Sequence, residues 1–133
     1  MKAITAKIPR SLQLMSRIQC ADNSGAKELE IIAVKRYHGV QRRLPKAGIG
    51  DIVICTVKKG KEKMMHEIVY CVIVRQKKEF RRSDGTRVKF HDNAAILVNS
   101  KTFEPQGTEI RTVIAKEVIE RFSPIGKIAS VVV

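Results

Sequence analysis

The sequence predicts a mainly β protein that folds as a closed or nearly closed barrel. Three observations support this prediction. Short runs rich in β-branched and apolar residues recur along the chain, clusters of turn-forming residues separate them, and an apolar stripe with helical period appears only near the C-terminus. A single domain of 133 residues is long enough to bury a hydrophobic core without disulfides or metals. We therefore expect residues 1–133 to form one domain.

The strands are predicted from apolar patterning. Residues 17–21 alternate, and they end at a cluster of turn formers. Residues 27–34 resume the pattern, with alternate apolar side chains on one face. Residues 51–57 are β-branched and apolar, and residues 68–74 form a continuous apolar run, as expected for a central strand buried on both faces. Residues 88–90 and 94–98 complete the set, and the predicted turn residues are Asp22, Asn23, Gly25, Gly50, Asp84 and Gly85.

A helix is predicted over residues 113–122, because its apolar side chains recur near the helical period. Thr112 is the predicted N-cap, and Ser123 with Pro124 would end the helix. Glu117 and Arg121 would face solvent as an i,i+4 ion pair. The remaining residues, 128–133, would form a short helix or a final strand packed onto the barrel.

The positive charge is concentrated in the centre of the chain. The net charge is +13, and residues 35–90 contribute sixteen basic and five acidic residues, a net charge of +11. Residues 91–133 are neutral overall. A charge of this size destabilises a compact domain unless a polyanion neutralises it, so the centre of the chain is predicted to bind nucleic acid. An anionic membrane or an acidic protein are the alternative partners.

Membrane and catalytic functions find little support. The start of the chain lacks the apolar core of a signal peptide, and residues 68–74 are far too few to span a bilayer. Glycines 48 and 50 lack the context of a nucleotide fingerprint. We therefore predict no membrane partner, no cofactor and no catalytic residue.

Cysteine and histidine usage predicts no metal site. The three cysteines lack CxxC spacing and lie in apolar stretches, which is typical of buried reduced thiols in a cytosolic protein. The histidines are not arranged in the local pairs that zinc requires. The residues concerned are Cys20, Cys55, Cys71, His38, His66 and His91.

Three basic segments are the candidate RNA-binding elements. In residues 79–90, Asp84-Gly85 predicts a two-residue hairpin in which Arg82 faces Arg87, with a phosphate between the two guanidinium groups. Residues 35–46 form a basic loop with Tyr37 as a possible base-stacking platform, and residues 58–63 form another basic turn. The predicted RNA-binding residues are Lys35, Arg36, Arg42, Arg43, Lys46, Lys58, Lys59, Lys61, Arg75, Lys77, Lys78, Arg81, Arg82, Arg87 and Lys89.

Six short motifs, taken in order, make the whole chain resemble a known family. It resembles the universal large-subunit ribosomal protein number fourteen family, in its archaeal/eukaryotic-type form, which the longer loop around residues 42–45 favours. Cys71 and Ile96 depart from the family pattern by apolar replacements. The motifs are CADNSGAK at 20–27, GIGD at 48–51, VIVR at 72–75, RRSDG at 81–85, FHDNA at 90–94 and GTEI at 107–110.

This resemblance implies both a fold and a set of partners. The fold is a five-stranded β-barrel over about residues 1–100, with a projecting basic ribbon and a small helical C-terminal part over about 108–133. The implied partners are large-subunit ribosomal RNA, the universal large-subunit ribosomal protein number three, another neighbouring large-subunit protein, and small-subunit RNA at an intersubunit bridge. An anti-association factor is a further implied partner, and the implied location is the cytoplasmic ribosome.

Two other classes of function stay open from the sequence. One is a sequence-tolerant single-strand binding module that acts outside the ribosome and depends on Tyr37 and Phe80. The other is a basic adaptor that binds an acidic protein. The scarcity of aromatic residues, six in the chain, favours phosphate and shape readout of structured RNA over stacking on every base.

Overall fold

The computed structural model describes residues 1–133 and shows a mainly β protein. Its strands are β1 (Leu12–Gln13), β2 (Arg17–Cys20), β3 (Ala26–Val34), β4 (Lys46–Ala47), β5 (Ile52–Gly60), β6 (Ile68–Arg75), β7 (Phe80–Arg81), β8 (Arg87–Val88), β9 (Ala94–Val98), β10 (Ile110–Ile114) and β11 (Ala129–Val132). Its helices are α1 (Lys116–Arg121) and α2 (Ser123–Gly126), and residues Glu62–Met64 form one 3-10 turn. No helix is both long and apolar enough to span a bilayer.

Five of these strands form a closed barrel in the order β2-β3-β5-β6-β9. Neighbouring strands are antiparallel, except that β2 and β9 close the barrel as a parallel pair. Strand β6 lies between β5 and β9, and its residues Cys71, Val72, Ile73 and Val74 are fully buried. Burial of consecutive residues means that both faces of this strand are covered. The predicted barrel and its central strand are confirmed.

The barrel strands contribute most of a single hydrophobic cluster. Twenty-nine buried residues form one contiguous core, which extends from Leu12 in β1 to Ile125 in α2. This continuous core is what a single domain would have. That residues 1–133 form one domain stays a prediction. Three further pairs of strands lie outside the barrel: β1 with β4, β7 with β8, and β10 with β11.

The C-terminal helix starts later than predicted. Residues 110–114 form β10, which pairs in parallel with β11, and α1 begins only after Ala115. Thr112 is therefore not an N-cap, and its hydroxyl instead accepts a hydrogen bond from Arg75 (2.8 Å). The run Thr112-Val113-Ile114 is β-branched, which favours a strand once a pairing partner is present. The tail supplies that partner as a final strand.

The predicted exposed ion pair on this helix is wrong. Glu117 is only 1% exposed and contacts Arg82, which lies 35 residues earlier in the chain. Arg121 instead approaches Asp51, at 3.6 Å. Both partners come from outside the helix, so helical spacing could not reveal them.

The predicted register of the ribbon β7–β8 is wrong by one residue. Arg81, not Arg82, faces Arg87, and Phe80 faces Val88. The Arg82 N–H donates to the Thr86 carbonyl oxygen (2.8 Å), so the loop contains three residues instead of two. Its last residue, Gly85, has a φ of +92°, the left-handed conformation that completes a three-residue hairpin with a bulge.

Candidate nucleic-acid interface

A cationic cleft lies between β1 and the loop that joins β3 to β4. Its volume is about 580 Å³, and no carboxylate lines it. The β1–β4 pairing, in which Leu12 faces Ala47, brings the N-terminal segment against the end of the basic loop. A cleft lined by charge of one sign concentrates the field and attracts anions. The polar and aromatic lining residues are Arg10, Gln13, Tyr37, Arg42, Arg43 and Lys46.

The loop of the cleft has a defined backbone. The Lys35 N–H donates to the Ile52 carbonyl oxygen (2.9 Å), and the Arg43 N–H donates to the Val40 carbonyl oxygen (3.1 Å), which closes a turn. Arg36 and Arg42 both have left-handed φ angles, +61° and +64°. Residues other than glycine rarely adopt this backbone conformation, and it persists where the surrounding structure enforces it. Residues with such strained backbone angles cluster at functional sites.

Arg42, Arg43 and Lys46 are exposed and have no carboxylate within ion-pairing distance. Arg10 has only a long contact with Asp51, at 3.6 Å, and its side chain is 62% exposed. The sequence reasoning missed Arg10 and Gln13, because only the β1–β4 pairing brings them to the loop. No local pattern marks them.

Lys35 was predicted to bind RNA, but its ammonium group points toward the protein. Its Nζ donates to the Ser100 carbonyl oxygen (3.2 Å) and lies 4.6 Å from the centre of the Phe103 ring and 5.2 Å from that of Tyr70. Cation–π contacts of this kind stabilise the folded chain. These contacts pack Lys35 against the protein, and its binding to RNA stays a prediction.

Arg75 is also held by the protein. Its Nε and Nη2 donate to the two carboxylate oxygens of Asp92 at 2.8 and 2.9 Å. Its Nη1 donates to the hydroxyl of Thr112 (2.8 Å) and the carbonyl of Val113 (2.6 Å). The residue is 7% exposed. Arg75 thus joins β6 to β10, and the prediction that it binds RNA is replaced by a structural role.

Arg82, like Arg75, is held by hydrogen bonds within the protein. Its Nε donates to Glu117 Oε1 (2.7 Å), and its Nη2 donates to Glu117 Oε2 (3.3 Å) and the Val133 carbonyl oxygen (2.7 Å). The predicted phosphate between Arg82 and Arg87 is therefore wrong, because Arg82 is turned toward α1 and holds the ribbon against the C-terminal segment.

The exposed surface of the ribbon remains basic without Arg82. Arg81 and Arg87 are directly opposed, and Arg87 has one exposed partner, Glu79, at 2.9 Å. Opposed arginines repel each other across a hairpin, and an anion placed between them relieves the repulsion. Lys77, Lys78 and Lys89, which flank the ribbon strands in sequence, are exposed, and so is Lys7, which forms a β-bridge with Arg81.

Lys58 and Lys59 lie in an ion-pair network on the outer face of the barrel. Lys58 pairs with Glu30 (3.4 Å), Lys59 pairs with Glu28 (3.1 Å), and Arg17 contacts both glutamates. The hydrogen bond from Lys59 lowers the pKa of Glu28. These pairs reduce the charge that the two lysines present to RNA. Lys61 stays exposed at the following turn.

The turn after β2 connects the barrel to the C-terminal segment. Asp22 accepts hydrogen bonds from the N–H groups of Ser24 (3.2 Å) and Leu97 (2.8 Å). The Asn23 side chain accepts from the N–H of Thr108 (2.9 Å) and donates to its hydroxyl (2.8 Å). Left-handed φ angles occur at the predicted turn residues Gly25 (+109°) and Gly50 (+83°), and Asp84 accepts from the Thr86 N–H at 2.9 Å.

The three cysteines are free thiols. Burial, and then the nearby Asp22 carboxylate, raise the pKa of Cys20 to about 12. A hydrogen bond with Cys55, together with burial, raises the pKa of Cys71. Since the thiolate is the nucleophile and the metal ligand, neither group is activated at neutral pH. No group of three or more potential metal ligands is present.

Stability should depend on the ionisation of Asp92. Hydrogen bonds from Arg75 lower the pKa of Asp92 below its ordinary 3.8. A lowered folded-state pKa stabilises the protein above the unfolded value, and this contribution is lost as pH falls through the folded-state pKa. We expect Asp92→Asn to be less stable than the wild type at pH 7, and the difference to shrink below about pH 4. Urea denaturation of the two proteins across this pH range measures their free energies of unfolding. A difference in these free energies that does not depend on pH would contradict the prediction.

Comparison with known proteins identifies the family of the chain. The family model described as ribosomal protein L14p/L23e matches residues 11–133. Proteins named large ribosomal subunit protein uL14 are 52% identical in Methanocella arvoryzae and 50% identical in Methanocorpusculum labreanum, each over 100% of both chains. The protein of the same name in Methanococcus vannielii is 48% identical over 99% of both chains. The resemblance found in the sequence is thereby confirmed, and the chain belongs to the ribosomal protein L14p/L23e family.

Proposed function

We propose that this protein is a structural constituent of the large ribosomal subunit and binds ribosomal RNA mainly through phosphate contacts. The cationic cleft, with three unpaired basic residues and no carboxylate in its lining, carries the proposal. Members of this family are structural ribosomal proteins, so the chain is not an enzyme and acts in the cytoplasmic ribosome.

The proposed interface consists of exposed basic side chains at the cleft, the ribbon and the turn after β5, of which only Arg10 and Arg87 have an ion-pair partner, Asp51 and Glu79. The cleft and the ribbon supply most of them, and Lys61 adds one more. Arginine forks suit phosphate oxygens, and lysines add diffuse charge along the RNA backbone. Base reading is not required, because phosphate contacts fix position without carrying sequence information. The proposed RNA-binding residues are Arg10, Arg36, Arg42, Arg43, Lys46, Lys61, Lys77, Lys78, Arg81, Arg87 and Lys89.

The C-terminal part is proposed to meet protein partners. Residues 91–133 carry no net charge, and Val131, Val132 and Val133 are each nearly half exposed. Apolar exposed side chains at a neutral surface suit protein contacts better than RNA contacts. By the family resemblance, these partners are the universal large-subunit protein number three, another neighbouring large-subunit protein and an anti-association factor. The basic surface would lie at the intersubunit face and contribute to a bridge with small-subunit RNA.

Sedimentation tests this proposal directly. A tagged copy of the protein, expressed in cells of its source, is centrifuged through a sucrose gradient before and after a high-salt wash. Comigration with the large subunit after the wash is the expected result, because an integral component is held by many contacts. Migration at the top of the gradient would contradict the proposal and favour a function outside the ribosome. Treatment of the pulled-down complexes with RNase would then separate a single-strand binder from a protein adaptor.

A further inference from the structure

We propose that the cationic cleft binds one unpaired nucleotide of the RNA, with its base against Tyr37 and its phosphate among Arg42, Arg43 and Lys46. The inference rests on the proposed function and adds the kind of RNA element that the cleft recognises. Phosphate contacts alone need only a basic surface. This site is concave and contains an aromatic ring.

The shape of the cleft suits a small ligand. Pockets that enclose small molecules have volumes of about 300–1,000 Å³, and this cleft, at about 580 Å³, lies within that range. Paired bases present only their edges in a groove, whereas an unpaired base can leave the helix and offer its face. A concave site of this size therefore fits a single displaced nucleotide better than the surface of a duplex.

The lining of the cleft matches the two halves of a nucleotide. Tyr37 is the only aromatic residue there, it is partly exposed, and its hydroxyl makes no hydrogen bond within the protein. Gly39 lies beside the ring, where an added Cβ would be 3.8 Å from Tyr37 Cε1, so no side chain covers the ring from that residue. Aromatic rings bind bases by stacking, and the neighbouring guanidinium groups bind phosphate.

The loop that carries these groups has a specific backbone conformation. Arg36 and Arg42, one on each side of the ring in sequence, both have left-handed φ angles. These are two of only five such residues, glycine excluded, in the whole chain. This conformation is unfavourable in isolation, so the surrounding structure determines the backbone of the loop at both residues.

Two matched RNA hairpins test the inference. Both have the same stem base pairs and the same short loop, and one carries in addition a single bulged 2-aminopurine in its stem. Affinity is measured by fluorescence anisotropy at several salt concentrations, and 2-aminopurine emission reports stacking of the bulged base. The full-length protein is compared with Tyr37→Leu, with Tyr37→Phe, which keeps the ring, and with Arg42→Gln.

We expect the wild type to prefer the bulged hairpin and to quench its 2-aminopurine. Tyr37→Leu should weaken binding of the bulged hairpin about tenfold and leave the paired hairpin and the salt dependence unchanged, because stacking releases no counterions. Tyr37→Phe should behave like the wild type, and Arg42→Gln should flatten the salt dependence for both RNAs.

The experiment distinguishes failure of this inference from failure of the proposed function. Equal affinity of wild type and Tyr37→Leu for the bulged hairpin, with unchanged emission, would overturn the inference and leave the phosphate-binding function standing. Absence of salt-dependent binding of the wild type to either hairpin would overturn the proposed function together with the inference.

Discussion

Replacing Glu117 by glutamine will lower the free energy of unfolding by about 3 kcal/mol or more. The Glu117 carboxylate is 1% exposed and accepts two hydrogen bonds from Arg82, whose side chain is 12% exposed. Removing the carboxylate charge takes away the only side-chain carboxylate within ion-pairing distance of a largely buried guanidinium group, which is far more destabilising than losing a surface ion pair. Urea denaturation followed by circular dichroism measures the change.

Two further variants show whether burial is the cause. Glu79→Gln removes the partner of Arg87, another ion pair of the same ribbon, but both side chains of that pair are largely exposed. It should change stability by less than about 1 kcal/mol. The double replacement Arg82→Met with Glu117→Leu removes both buried charges and should recover most of the loss. A Glu117→Gln protein as stable as Glu79→Gln would contradict the prediction.

Neutralising the cleft should have the largest effect on RNA binding. The triple variant Arg42→Gln, Arg43→Gln, Lys46→Gln replaces three side chains that are proposed to contact phosphates. Each lost contact should flatten the plot of log K against log salt by about 0.7–0.9, so the slope should fall by roughly 2–3 in total. Filter binding to large-subunit ribosomal RNA at a series of salt concentrations measures the slope.

The matched control for this variant lies on the barrel. Lys58→Gln with Lys59→Gln also removes positive charge from the predicted basic segments, but these lysines already pair with Glu30 and Glu28. We expect a smaller change of slope per lysine removed. Equal changes of slope per residue in the two variants would show that the basic residues of the cleft contribute no more to RNA binding than those on the barrel, which would contradict the prediction. Thermal denaturation of both proteins checks that their folding is unchanged.

The strands were predictable because their sequence pattern is local. Residues 94–98 and the apolar run from residue 68 are strands as predicted, since β-branched and apolar residues determine both burial and strand formation. The start of the C-terminal helix was not predictable in this way. Residues 110–114 carry the same apolar spacing as a helix, and only the distant strand β11 makes them a strand.

The candidate site was predictable as a region but not residue by residue. Charge density identified the centre of the chain, and the cleft lies there. It could not show which basic residues the protein itself neutralises, because the acidic partners of Arg75, Arg82 and Lys58 are 17 to 35 residues away in sequence. The length of the hairpin loop was equally hidden, since Asp84-Gly85 is compatible with two loop lengths that differ by one residue in register.

The parallel closure of the barrel by β2 and β9 has a consequence for folding kinetics. About 75 residues separate these strands, so the chain must bring distant segments together before the last ladder forms, and topologies of this kind fold slowly. Until closure, both strands present unpaired edges that can associate with other chains. The net charge of +13 keeps such chains apart during this interval. The same charge that prepares the protein for RNA thus also protects it from aggregation while it is still unassembled.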